Sequence, residues 1–142
     1  MTITEIQLYP EEVLGLLNKA DKDFVPSLSE TMDLIFYSEK WSCLARKIVA
    51  LEDETIIGSI FFYFSEQSNT VYIPFFWTDK RFQRKGVGKG MFEYLLDAVH
   101  CNLVELEVVK DNYPAIAFYN RMGFILKEDR GSKQLMGYVP IR

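Results

Sequence analysis

The chain has 142 residues, 49% hydrophobic and 25% charged, with a net charge of −4 and no low-complexity tract. That length predicts one domain over residues 1–142, able to bury about two thirds of its unfolded surface. The acidic balance disfavours a nucleic-acid partner. A single histidine, His100, excludes a His-rich metal site, and two distant cysteines, Cys43 and Cys101, form neither a metal spacing nor a disulfide framework.

No apolar run is long enough to span a bilayer and the start is not signal-like, so the expectation is a cytoplasmic protein without a membrane partner. Aromatic residues reach 15%, including eleven Phe and eight Tyr. Rings at that density build a core, line a ligand cleft, or do both.

Ile3, Ile6 and Leu8 alternate loosely with polar residues and predict a first strand over residues 2–8. Pro10 then opens a helix over 11–20, with acidic residues in its first turn and Val13, Leu14, Leu16 and Leu17 facing inward. Asp21, Asp23 and Pro26 break it. Ser27 or Ser29 caps a second helix carrying Leu28, Met32, Leu34, Ile35 and Phe36.

Three strands are expected next. Residues 42–51 carry Leu44, Ile48, Val49 and Leu51, and a Glu-Asp-Glu turn leads into 55–64, which is apolar on both faces and reads as central. Residues 70–78 close an antiparallel meander. Pro74 interrupts that last strand, and a proline cannot donate to a ladder. It predicts a local break in pairing, with N–H and C=O groups left for something else to bond.

Residues 83–90, Gln-Arg-Lys-Gly-Val-Gly-Lys-Gly, follow this strand and open a helix in which Val87, Met91, Leu95, Ala98 and Val99 share a face. A strand feeding a glycine-rich turn at a helix start is an anion site, because unpaired amides of the first turn point outward and glycine lets phosphate approach. Lys80, Arg81, Arg84, Lys85 and Lys89 concentrate positive charge there. Lys89 precedes Gly90 rather than Ser or Thr, so the magnesium-binding hydroxyl of a nucleotide-hydrolysing loop is missing. Residues 102–109 then form a strand parallel to 70–78. Asp111-Asn112-Tyr113-Pro114 starts a last helix that Gly123 ends, and residues 124–127 and 133–139 form a hairpin.

Gln83-Arg84-Lys85-Gly86-Val87-Gly88 resembles the coenzyme A pyrophosphate motif of the GNAT superfamily of N-acetyltransferases. Downstream, Asn112, Ala115, Phe118, Tyr119, Gly123 and Phe124 fit a second pattern of that family without a gap. The resemblance implies an α/β fold with a mixed, mostly antiparallel sheet of roughly six to seven strands flanked by about four helices, in the order β-α-α-β-β-β-α-β-α-β-β.

It further implies an acetyl-CoA-dependent N-acetyltransferase acting on a small-molecule or peptide amine by direct transfer in a ternary complex, as a monomer or homodimer and without a metal. The alternative is a GNAT-fold module that binds acyl-CoA as a sensor without transferring. Coenzyme contacts are expected from Phe76, Trp77, Thr78, Gln83, Arg84, Lys85, Gly86, Val87, Gly88, Lys89, Asn112, Ala115 and Tyr119, the pantetheine arm lying along Phe76 to Thr78. Asn112 either holds that arm or caps its helix. Tyr119 occupies the general-acid position, and a phenol with a pKa near ~10 is protonated at neutral pH.

Many relatives carry a base glutamate in the strand before the glycine turn, but residues 70–78 contain no carboxylate. Glu66, Asp79, Glu30 and Glu39 are candidates, none preferred. Residues 22–40 and the strand tips are expected to build the acceptor side. There Phe24, Phe36, Tyr37, Trp41, Tyr72 and Phe75 are candidate lining rings, and Asp23, Glu30 or Glu39 candidate attractors of a cationic amine.

Overall fold

Residues 1–141 are described by the computed structural model. The elements run β1 (Thr2–Ile6), α1 (Pro10–Ala20), α2 (Leu28–Thr31), α3 (Leu34–Leu44), β2 (Arg46–Glu52), β3 (Thr55–Ser65), β4 (Thr70–Thr78), α4 (Val87–Ala98), β5 (Leu103–Val109), α5 (Tyr113–Met122), β6 (Ile125–Arg130) and β7 (Lys133–Tyr138). Seven strands make one sheet in the order β1-β2-β3-β4-β5-β7-β6. Every pairing is antiparallel except β4 with β5. The expected α/β architecture is therefore present, and no helix among the described residues is long and apolar enough to cross a membrane.

Local chemistry sets the helix starts. In α1, Pro10 sits in the first turn, and the Glu12 carboxylate accepts from the Tyr9 amide at 2.9 Å. The single helix expected after Ser27 is instead two. Asp33 accepts from the amides of Ile35 and Phe36 at 3.0 and 3.1 Å, which caps α3 as a new helix. That helix continues through Leu44, so the strand expected from residue 42 begins at Arg46. The misreading has a plain cause: Leu34, Tyr37, Trp41 and Leu44 follow helical spacing, whereas Leu44 also fits the strand's alternation. Lys47, buried in β2, donates to the carbonyls of Ser42 and Ala45 at 3.0 and 2.6 Å and so closes the end of α3.

Each face of the sheet carries a core. On one, α4 and α5 cover Ile48, Ile60, Val71, Ile73, Phe76, Val104 and Leu106. On the other, α1 and α3 cover Phe61, Phe75 and Trp77.

The pleat of β4 slips once, at Pro74. Val71 and Ile73 point to the α4 side and so does Phe76, a spacing of three where strict alternation needs two or four. The ladder with β3 shifts at the same place, jumping from Phe61 opposite Phe75 to Tyr63 opposite Tyr72. This is a β-bulge accommodating a residue that has no N–H to give. On its other side β4 pairs with β5 only over Thr70–Tyr72 against Leu103–Glu105. Past Tyr72 the two parallel strands part, leaving the β5-facing edge of β4 without a strand neighbour.

Candidate functional site

The sheet's opening lies beside the glycine turn. Arg84 and Gly86 both take left-handed backbone, at φ 64° and 80°, and Gly86 sits at the N-cap of α4. Two left-handed residues in three fold the chain tightly enough to turn successive amides outward. The first bond of the new helix is Gly90 N–H to Gly86 C=O at 2.9 Å. The amides of residues 84–89 donate to no group among the described residues, which makes six adjacent donors at a helix N-terminus. A Cβ on Gly86 would meet nothing within 4 Å, so the space over this turn is open.

The five cations near the turn divide into two kinds. Lys80 pairs with Asp23 at 3.9 Å and Arg81 with Asp79 at 3.0 Å. Arg84, Lys85 and Lys89 have no carboxylate partner among the described residues. Only these last three carry charge that an anion would feel undiminished. Gln83 donates from Nε2 to the Thr78 carbonyl at 3.2 Å, tying the turn to the end of β4.

Gly88 and Val87 are buried at the first turn of α4. A Cβ at Gly88 would lie 2.6 Å from Phe118 Cζ, so glycine is what lets α4 and α5 close together. The Phe76 and Trp77 side chains are taken up by the two cores: Phe76 packs on Phe118 and Tyr119 at 5.6 and 5.7 Å, and the Trp77 indole donates to Asp23 Oδ2 at 2.9 Å. The backbone of Phe76–Thr78 and the half-buried Thr78 side chain remain for a ligand.

Tyr119 sits on α5 among Phe76, Phe118 and Phe124, with ring centroids 5.5–5.7 Å away. Burial alone pushes its phenol up, so it holds its proton throughout the neutral range. Asn112 caps α5, its Oδ1 accepting from the Ala115 amide at 3.3 Å. The capping alternative raised from the sequence is thus realised in the structure.

Across the sheet a cleft of about 330 Å³ is lined by Thr31, Met32, Tyr37, Lys40, Trp41, Tyr63, Tyr72, Ile73, Pro74, Glu107 and Lys133. Tyr37, Trp41 and Tyr72 are there as expected. Phe24 and Phe75 stack on each other at 5.6 Å in the core instead, and Phe36 is left 55% exposed. The Tyr63 hydroxyl is buried with no hydrogen-bond partner among the described residues. Burial pushes the Tyr72 phenol up to about 12, with the Glu107 carboxylate adding to the shift.

The carboxylates named from the sequence do not line this cleft. Asp79 is buried, and Arg81 bonds it from its backbone and its guanidinium, holding its carboxyl below the usual range. Asp23 holds Trp77. Among the described residues the cleft's one carboxylate is Glu107, which the sequence presents as an ordinary polar position on the alternating strand β5. It accepts from Arg130 at 3.0 Å. Tyr63 and Lys133 were likewise unmarked. Their only signal was long-range, since β3 and β7 reach this cleft through the strand order. No cluster of three potential metal ligands occurs among the described residues.

A family model described as "Acetyltransferase (GNAT) family" matches residues 13–124. Spermine/spermidine N(1)-acetyltransferase of Bacillus subtilis is 32% identical over 62 residues, a match spanning 41% of this chain and 41% of that protein. Among solved structures, the PaiA N-acetyltransferase of Thermoplasma acidophilum, crystallised with coenzyme A, superposes with a TM-score of 0.74 at 17% identity over 99% of this chain and all of that one. Ard1 of Thermoplasma volcanium gives 0.75 at 21% identity over 100% of both. At such identities these two likenesses concern the fold.

Proposed function

The chain belongs to the acetyltransferase (GNAT) family, and we propose that it moves an acetyl group from acetyl-CoA to a primary amine by direct transfer in a ternary complex. The observation that carries this reading is a juxtaposition: six donor amides at residues 84–89 stand next to the unpaired edge of β4. A pyrophosphate suits the first and an amide-bearing arm the second. Acetyl-CoA has both, and when bound it supplies the thioester whose acetyl group moves.

The chain's own residues do the rest. Backbone amides of 84–89 hold the pyrophosphate, aided by the uncompensated charges of Arg84, Lys85 and Lys89. Peptide groups of Phe76 to Thr78 align the arm, and Gln83 keeps turn and strand in register. Tyr119 Oη keeps a proton at neutral pH and gives it to the departing thiolate, and the proton that the acceptor nitrogen sheds as the amide forms restores it. Glu107 receives a proton from the acceptor's ammonium, directly or through water, because it is the cleft-lining carboxylate. Neither cysteine lies in these motifs, which agrees with transfer without an acetyl-cysteine stage. The reading takes the chain as one cytoplasmic domain over residues 1–142, monomeric or homodimeric, with a small-molecule or peptide acceptor and no metal, nucleic acid or membrane.

Thiol release from acetyl-CoA across a panel of amines, with calorimetry of coenzyme binding on the same samples, tests this. Amine-dependent release with an acetylated product is expected. Tight coenzyme binding with no release for any amine would replace the transferase by a coenzyme-binding sensor.

A further inference from the structure

The name of the Bacillus subtilis relative points to a polyamine, yet the cleft's charges do not suit one. Its lining includes two lysines and one glutamate: Lys40, Lys133 and Glu107. Glu107 shares one cation with Glu128: Arg130 donates to Glu107 at 3.0 Å and to Glu128 at 3.3 Å. Lys40, from α3, and Lys133, from the start of β7, stand on different walls and have no carboxylate partner among the described residues. The cleft therefore presents excess positive charge inside a chain of net charge −4. Its aromatic lining does not reverse this. The ring that would draw a second ammonium, Tyr37, already carries one, with Lys40 Nζ 5.6 Å from its centroid.

We infer that the acceptor is an amine of amino-acid size that also bears a carboxylate, its amine directed to Glu107 and its carboxylate to Lys40 and Lys133. The inference rests on the transferase reading for its term "acceptor" and adds the substrate's charge. Size agrees, since a cleft of about 330 Å³ is at the small end of ligand pockets. So does the charge balance: a polyamine would bring two or more ammonium groups to a cleft whose charged lining is two lysines and one glutamate.

Matched amines with and without a carboxylate test it: tyrosine against tyramine, lysine against cadaverine, and spermidine as the polyamine. With acetyl-CoA saturating, kcat/KM for each carboxylated member should exceed its partner's by about tenfold, the effect of one charge-assisted contact. In a Lys40→Gln, Lys133→Gln double variant that ratio should fall toward unity, and acetyl-CoA affinity on the same sample reports that the variant is folded. A ratio at or below unity in the unaltered protein, spermidine as the best acceptor, or a ratio that the double variant leaves untouched would overturn the inference. If no amine releases thiol, the transferase reading fails separately. Calorimetric binding of the same pairs to the coenzyme A complex then decides the charge preference: tighter binding of the carboxylated members supports it, and equal or weaker binding refutes it.

Discussion

The two faces of the parting between β4 and β5 recognise their ligands by different means. On the α4 side the contacts are main chain: amides of a turn forced by Gly86 and Arg84, and the edge of β4 that has no strand partner past Tyr72. On the α3 side they are side chains, rings and charges brought from α3, β3, β4, β5 and β7. A backbone site binds what is constant in a ligand, here the pyrophosphate and its arm. A side-chain site can change with every substitution and leave the fold alone. Constancy and choice are thus separated by one sheet.

Tyr119 packs on the α4 side against Phe76, Phe118 and Phe124, and the sharpest way to break the comparison is to remove its hydroxyl. Tyr119→Phe should lower kcat by about a hundredfold or more while coenzyme affinity stays within about twofold. Steady-state rates with calorimetry measure both, and unchanged turnover would remove Tyr119 from the chemistry. Gly88→Val comes next, because its new side chain enters Phe118 Cζ space at 2.6 Å. It should cost about 1–3 kcal/mol of stability in denaturant titration. It should also weaken coenzyme binding, with Phe118→Leu restoring part of both.

Smaller effects separate the faces further. Burial pushes the Tyr72 phenol up to about 12. The folded state thus resists ionisation, so this contribution to stability is whole below pH ~10 and is lost as pH rises from there through about 12. Tyr72→Phe should flatten part of that alkaline fall by roughly 3 °C in Tm, the raised Tyr119 and Tyr63 supplying the remainder. Asp23→Asn weakens the 2.9 Å bond from Trp77, at about 1 kcal/mol. It should disturb acceptor KM more than coenzyme affinity.

The same division governs how much could be read without the structure. The turn at 83–90 is contiguous, so its residues identify themselves: glycines at a helix start, cations beside them, a proline in the preceding strand. Pro74 even foretold where pairing would fail, because the missing N–H is a property of one residue. The acceptor cleft has no such local signature. Glu107 is one of two glutamates alternating with apolar residues on β5, and nothing nearby in sequence separates it from Glu105, which pairs with Lys127. Only the strand order brings β5 and β7 beside α3. Asp23 and Asp79 looked available for the converse reason: the partners that occupy them include a tryptophan 54 positions away.

The central claim is that the amides of residues 84–89 are the coenzyme's pyrophosphate site. Titrating coenzyme A into 15N-labelled protein and following the backbone amide resonances tests it directly. The six resonances of residues 84–89 should move together and saturate at one equivalent, while the glycine turn at Gly131 stays still. Saturable coenzyme A binding that leaves those six resonances in place would contradict the account.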